Sequence, residues 1–390
     1  MSEAKRILII DFCNFEDYPI GGYLTFAKNM IFSFGNDIAM VGITTDKDDP
    51  VGKWFKKSIG GVSFDFLAFA YYSKAITKHI VPDRLASYLL VKRYKKQILS
   101  LTFDNVFIQR PEILLAVKKF GFSNICYCFA GLENPLAISK YKYAHYMAEY
   151  FDRIFFKNLS KISVILASGD ENAIQEMIVR SNGLILRNSV HQFPSRINTE
   201  IFKDVNRDEA RKSLNLPDSA LIIITTGRLS ELKGWKFMID CFCNFEKQKP
   251  GSLFYFIGEG EDRLKIEAYT QEKELVDKIF ITGRKTASDV SLFLNAADLF
   301  IMGSYKEGWS TSLIEAIACG TPGCVTDFSS AKEIIVEGLN GYVIDDHNVD
   351  AFVEGMSKAI ELTRPVYRDN VLSFSMDKLK SDMTKIWELK

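Results

Sequence analysis

Two segments of this 390-residue chain combine charge, hydroxyls and glycine in the way that chemistry on a phosphorylated ligand requires. The first runs Thr226-Gly227-Arg228-Leu229-Ser230-Glu231-Leu232-Lys233-Gly234-Trp235. Residues 221–225 before it read as a strand, and a helix begins near Gly234. Two cations on a glycine-containing strand-to-helix turn suit a pyrophosphate. The arginine offers a forked contact, the lysine a point charge, and the helix N-terminus backbone donors. The plainer reading is two solvated surface cations. The second segment runs Gly303-Ser304-Tyr305-Lys306-Glu307-Gly308-Trp309-Ser310-Thr311-Ser312-Leu313-Ile314-Glu315-Ala316. A strand over 299–302 empties into this Gly/Ser loop, and Ser310, Thr311 or Ser312 is a suitable N-cap for the helix that follows. With Glu307 in the loop and Glu315 about one turn into the helix, both carboxylates can face one ligand on the helix N-terminus. Carboxylates grip sugar hydroxyls by charge-assisted hydrogen bonds. Glu315 sits among Leu313, Ile314, Ala316, Ile317 and Ala318, where an unpaired carboxylate is costly, so a merely solvated role is disfavoured.

The elements that must position these loops come in two series. Apolar runs over 7–10, 38–43, 106–108, 125–129, 163–167 and 184–186 read as strands, with amphipathic stretches such as 23–34 and 111–120 between them. A second series has strands over 221–225, 253–257, 279–281, 299–302, 322–326 and 341–344. Its helices fall over 208–214, 235–247, 262–273, 287–297, 312–319 and 351–362. Continuously apolar strands alternating with helices predict mostly parallel sheets, an α/β class. The length predicts about two domains. A boundary is expected in the polar, irregular stretch 188–205, giving domains over 1–190 and 191–369, with a last segment over about 370–390 that is helical in pattern over 376–390. Open α/β sheets bind ligands beyond the carboxyl ends of their strands.

Composition narrows the partners. Lys plus Arg equals Asp plus Glu at 49 each, so net charge gives no argument for nucleic acid. No run of about 18 apolar residues is present, and the opening MSEAKRILIIDF does not read as a signal peptide. A cytoplasmic location, at the inner face of the cytoplasmic membrane if the basic stretch below engages it, is expected. The seven cysteines form no CxxC pair and read as buried apolar fillers. The four histidines (79, 145, 191 and 347) form no cluster and read as structural. The acidic pairs Asp48-Asp49 and Asp345-Asp346 read as turns rather than metal ligands. One basic stretch, 74–96, surrounds Ile80-Val81 and the apolar run 85–91 with Lys74, Lys78, Arg84, Lys92, Arg93, Lys95 and Lys96. It can rest on an anionic membrane or simply solvate a core-facing helix.

GRLSELKGW, EGWSTSLIEAIACGTPGCVTD and EIIVEGLNGYVI, in this order and spacing, resemble the donor domain of glycosyltransferase family 4, the "glycosyl transferases group 1". The resemblance covers about 221–346. It implies the GT-B fold, two Rossmann-like domains facing a central cleft, with acceptor binding in the first and nucleotide-sugar binding in the second. The last helix would pack back on the first domain. By the same resemblance, Arg228 and Lys233 would neutralise the donor diphosphate and the charge growing on the leaving group. Glu315 would bind the ribose and Glu307 the transferred sugar. Gly227, Trp309, Thr311, Ser312 and Leu313 belong to the same donor segments, where backbone N–H groups of Gly308 to Ser310 would assist. Gly21 and Gly22 would let the first domain's backbone approach the diphosphate, and Arg284 would lie by the base. No cofactor or metal is implied beyond a UDP- or GDP-linked sugar, and the acceptor would be a saccharide or lipid-linked saccharide. The expected reaction is retaining hexosyl transfer in cell-surface polysaccharide or lipopolysaccharide assembly. Alternatives are a transferase with a soluble acceptor, of the sucrose- or glycogen-synthase kind, and a non-catalytic nucleotide- or sugar-binding protein. Three departures stand out. Gly303-Ser304 replaces Pro-Ser, Arg187-Asn188-Ser189-Val190 stands for Pro-Asn-Gly-Val, and no histidine follows 125–129.

Overall fold

The computed structural model describes residues 7–19, 22–75, 81–129, 134, 136–137 and 142–387. The chain divides into two compact units, Met1–Pro194 with Met376–Lys390, and Ser195–Ser375.

The first unit is built on eight strands: β1 (Ile7–Ile10), β2 (Ile38–Thr44), β3 (Trp54–Ile59), β4 (Val62–Tyr71), β5 (Asn105–Ile108), β6 (Asn124–Phe129), β7 (Val164–Ala167) and β8 (Val190–Gln192). Their order is β3-β4-β2-β1-β5-β6-β7-β8, and only β3 and β4 pair antiparallel. Successive side chains of a strand point to opposite faces, so β1 feeds two cores. Leu8 and Ile10 join one cluster with Val106 and Ile108. Ile7 and Ile9 join the other, with Ala27, Met30 and Ile31 of the helix Gly22–Phe34 and with Leu379, Met383 and Trp387 of the helix Met376–Trp387. Trp387 Nε1 donates to Asn124 Oδ1 at 3.0 Å, which anchors the last helix to β6.

The second unit is an all-parallel sheet of β9 (Ile222–Thr226), β10 (Leu253–Ile257), β11 (Ile279–Ile281), β12 (Leu299–Met302), β13 (Gly323–Thr326) and β14 (Gly341–Ile344), ordered β11-β10-β9-β12-β13-β14. Strand order reverses between β9 and β12, and in the first unit between β1 and β5. The loops leaving these strands are therefore the ones such sheets use to hold ligands.

Three expectations need correction. Residues 184–186 form no strand: Ile185 is buried but Leu184 and Leu186 are exposed. The strand comes later, at β8, paired parallel with β7. That pairing carries the unit boundary past 190/191 to 194/195. The last helix starts at Met376, as its pattern predicts, but a separate short helix, Asp369–Leu372, carries the second unit to Ser375 rather than 369.

Candidate functional site

The loops after β9, β10 and β12 meet backbone to backbone. Leu229 N–H donates to Glu259 O at 3.1 Å, and Asp262 N–H donates to Leu229 O at 3.1 Å. Gly234 has a φ of +67°, and a Cβ placed there would lie 1.8 Å from Gly303 O. Only glycine permits this approach. The turn carrying Arg228 and Lys233 is thereby fixed against the loop carrying Glu307.

Side chains complete the junction. Lys233 Nζ pairs with Glu307 Oε1 at 2.5 Å, and Ser304 Oγ donates to the same oxygen at 2.7 Å. Lys233 and Glu307 are largely sheltered, with side chains 29% and 11% exposed. Arg228 is 73% exposed and pairs with Glu261 at 3.0 Å, an interaction that solvent screens to little worth. Both cations are thus matched by carboxylates. Thr226, Gly227, Arg228, Lys233 and Ser304 line one pocket, and Thr226 Oγ1 is buried with no hydrogen-bond partner among the described residues. A buried hydroxyl left unpaired is costly, and a bound ligand can satisfy it.

Of the three candidate N-caps, Ser310 serves: its Oγ accepts from Leu313 N–H at 3.3 Å, opening the helix Thr311–Ala318. Ser330 Oγ accepts the Ser310 amide at 3.0 Å. Ser312 faces the β9 turn, its Oγ 3.8 Å from where a Gly227 Cβ would stand. Trp309 and Leu313 lie in the hydrophobic core, Trp309 edge-on to Phe374 at 5.4 Å, and among the described residues the buried Trp309 Nε1 has no hydrogen-bond partner. Gly308 is exposed. Glu315 is half-buried, and among the described residues its carboxyl has no hydrogen-bond or ion-pair partner. Burial pushes its pKa from 4.5 to about 8.

The remaining predicted positions lie apart. Arg284 is exposed beyond β11, two strands out from β9, and no contact among the described residues joins it to the cluster. Gly22 opens the helix Gly22–Phe34 of the first unit, while Gly21 lies outside the described residues. Asp49 is engaged by Thr44 Oγ1 and Lys57 at 2.5 and 2.6 Å, and Asp345 by Lys332 at 2.9 Å. Among the described residues no three His, Cys, Asp or Glu converge to hold a metal. The cysteines are unpaired, six buried and Cys243 half-buried.

A second polar cluster, at the β1/β5 reversal of the first unit, was not foreseen. Asp11 is fully buried just past β1. It accepts from Phe12 N–H at 2.6 Å, from Gln109 Nε2 at 3.0 Å and from Arg110 Nε. Arg110 lies over the Tyr23 ring at 4.5 Å, with Glu112 3.9 Å away. Burial raises the Glu112 pKa against the pull of Arg110, and Gln109 Oε1 is buried without a partner among the described residues. The available signal was Gln109-Arg110-Pro111, two polar residues directly after an apolar strand.

In the basic stretch, the helix Asp83–Arg93 buries Ala86, Ser87 and Val91 and leaves Leu85 and Leu89 about half exposed, at 50% and 51%. Lys78 and His79 lie outside the described residues. No helix among the described residues is long and apolar enough to cross a membrane.

Residues 206–370 match the family described as glycosyl transferases group 1. An uncharacterized glycosyltransferase of Methanocaldococcus jannaschii is 28% identical over 152 residues, covering 38% of this chain and 38% of the relative. A lipopolysaccharide core biosynthesis glycosyltransferase of Rhizobium meliloti is 27% identical over 151 residues, covering 39% of this chain and 42% of its own length. Both matches span less than half of the relative. The crystal structure of Anabaena HepE in complex with UDP aligns at a TM-score of 0.73 with 14% identity, over 97% of this chain and 98% of that one. The fold is that of the GT-B proteins.

Proposed function

We propose that this chain, whose second unit carries the glycosyl transferases group 1 domain, transfers a hexose from a UDP- or GDP-sugar to a saccharide or lipid-linked saccharide hydroxyl with retention of configuration. One observation carries the reading. At the strand-order reversal of the second unit, two cations, the sheltered Glu307, a capped helix N-terminus and a partnerless Glu315 are gathered by loops locked to one another. A nucleotide sugar uses all of them. Its diphosphate would displace Glu307 and Glu261 from Lys233 and Arg228. Its ribose hydroxyls would donate to Glu315, and Glu307, released from Lys233, would accept from hydroxyls of the sugar.

In the reaction, the bond from the anomeric carbon to the diphosphate oxygen breaks. The acceptor oxygen bonds to that carbon on the same face, and its proton passes to a departing diphosphate oxygen. No protein base is then needed, which suits a site where both glutamates are assigned to hydroxyls. Lys233 and Arg228 carry the charge that grows on the leaving group, a role needing no divalent ion. The remaining task is orientation of acceptor and donor. The half-exposed Leu85 and Leu89, one turn apart beside Arg84, Lys92 and Arg93, suit contact with an anionic membrane. That contact favours a lipid-linked acceptor, and the lipopolysaccharide-core relative supports the same setting.

The test is thermal shift and calorimetry with UDP, GDP, ADP and their sugars, with and without EDTA, followed by proton NMR of the transfer product. Tight binding of one nucleotide, unaffected by EDTA, and a product of retained configuration are expected. A folded protein that binds none of the panel would sink the assignment, and an inverted anomer would remove the mechanism.

A further inference from the structure

The loop that carries Ser304 and Glu307 is braced by a ring outside the donor set. His347, just past β14, places Nε2 3.0 Å from Gly303 O. A carbonyl only accepts, so Nε2 carries the proton and donates. The imidazole stacks on Tyr305, with ring centroids 4.2 Å apart and planes 15° from parallel. It also meets Phe237 of the helix Trp235–Gln248 edge-on at 4.9 Å. Tyr305 N–H in turn donates to Leu232 O at 2.9 Å, the carbonyl next to Lys233. One imidazole therefore touches the root of the Glu307 loop, its exposed tyrosine and the helix that follows the Lys233 turn.

We propose that His347 is a positioning residue for the donor site, holding the 303–307 loop so that Glu307 meets Lys233. The proposal rests on the donor-site reading given above. Without the imidazole, the Tyr305–Leu232 link and the Lys233–Glu307 pair must find their register unaided. The loop is short, so Gly303 displaced by a fraction of an ångström moves Glu307 with it. In catalytic sites an error of that size is expensive.

The experiment compares His347→Gln, which keeps an N–H donor, with His347→Phe, which keeps the ring, and His347→Ala, which keeps neither. Hydrogen exchange of the Tyr305 amide is followed in the free protein, so no nucleotide is required. Loss of one hydrogen bond of ordinary strength should accelerate that exchange about fivefold in the Phe and Ala variants. The Gln variant should stay near wild type, and the global unfolding midpoint should not move. UDP-glucose titration in a calorimeter should then show weaker binding for Phe and Ala by a similar factor, with Gln restoring it, because Glu307 is assigned to the sugar hydroxyls. Unchanged Tyr305 exchange in His347→Ala would overturn the proposal. So would equal acceleration in all three variants with a lowered midpoint, which marks general destabilisation. Failure of the wild type to bind any nucleotide counts against the donor reading alone, since the exchange result is obtained without ligand.

Discussion

Replacing Glu315 by glutamine should stabilise the free protein, increasingly so as pH rises. Glu315 lies between Ile314 and Ala316, both fully buried, and its carboxyl has no hydrogen-bond or ion-pair partner among the described residues. Its pKa in the folded chain, about 8, stands above the 4.5 of an exposed carboxyl because burial penalises the charge. Below pH 4.5 both states hold the proton and no penalty exists. Between those two values the unfolded chain releases the proton while the folded chain keeps it, so stability falls as pH rises. Above the folded value the loss is complete. At about 1.4 kcal/mol per pH unit, the full penalty is about 5 kcal/mol. Glutamine has the same shape and no charge to desolvate. The advantage of Glu315→Gln should therefore widen by about 3 kcal/mol between pH 5 and pH 8. Urea titrations at the two pH values, read by hydrogen exchange of β12 and β13 peptides, isolate the second unit. An advantage equal at both pH values, or a glutamine variant less stable than wild type at pH 8, would refute the reasoning. Ligand binding supplies a second arm. If ribose hydroxyls satisfy the ionised carboxylate, nucleotide binding at pH 7 should release close to one proton from wild type and none from the variant. Calorimetry in buffers of different ionisation enthalpy measures this directly.

Lys233→Ala should lower turnover by about 10²–10³, the usual cost of removing one charge-stabilising donor, with little change in the unfolding midpoint; steady-state transfer assays with unchanged turnover would remove its role. Gly234→Ala should destabilise the second unit by roughly 2–4 kcal/mol, because its Cβ meets the Gly303 carbonyl in a backbone conformation that alanine avoids; a urea midpoint like that of wild type would contradict the locked-loop picture. The double change Leu85→Asp with Leu89→Asp should abolish flotation with anionic vesicles while leaving circular dichroism intact, since both side chains are half exposed; persistent flotation would place membrane contact elsewhere.

The second unit was the more legible half because its signals are local. β12 reads LFIM and is buried throughout, which only a strand covered on both faces explains, and the chemistry follows immediately in the chain. In β8 the sequence is VHQ and only Val190 is buried, so a genuine edge strand carries almost no apolar signal. Leu184 and Leu186 carried the signal without the burial. The hairpin of β3 and β4 turns on Gly60-Gly61, both with positive φ at +57° and +82°, the geometry of a two-residue hairpin turn. The dipeptide stands in GGVSFDF, ahead of a strand in which apolar and polar residues alternate. The Asp11–Arg110 pair joins residues 99 positions apart, and no spacing rule reaches that far. The partnering of Lys233 with Glu307 spans 74 positions, yet the family resemblance had already placed both at one ligand.

The helix Met376–Trp387 has a bearing on biosynthesis. Its Leu379, Met383 and Trp387 complete a core whose other members are nearly all drawn from the first 193 residues. During translation those residues leave the ribosome first, yet their closing piece emerges only after all of Ser195–Ser375 has been made. At roughly 5–20 residues per second that interval is on the order of tens of seconds. Throughout it, the face of the helix Gly22–Phe34 that meets the last helix stays uncovered, while the second unit has every residue it needs to fold. The nascent chain should therefore mature in reverse of its reading order. Its window of vulnerability to chaperones, proteases and self-association should centre on the half that was synthesised first.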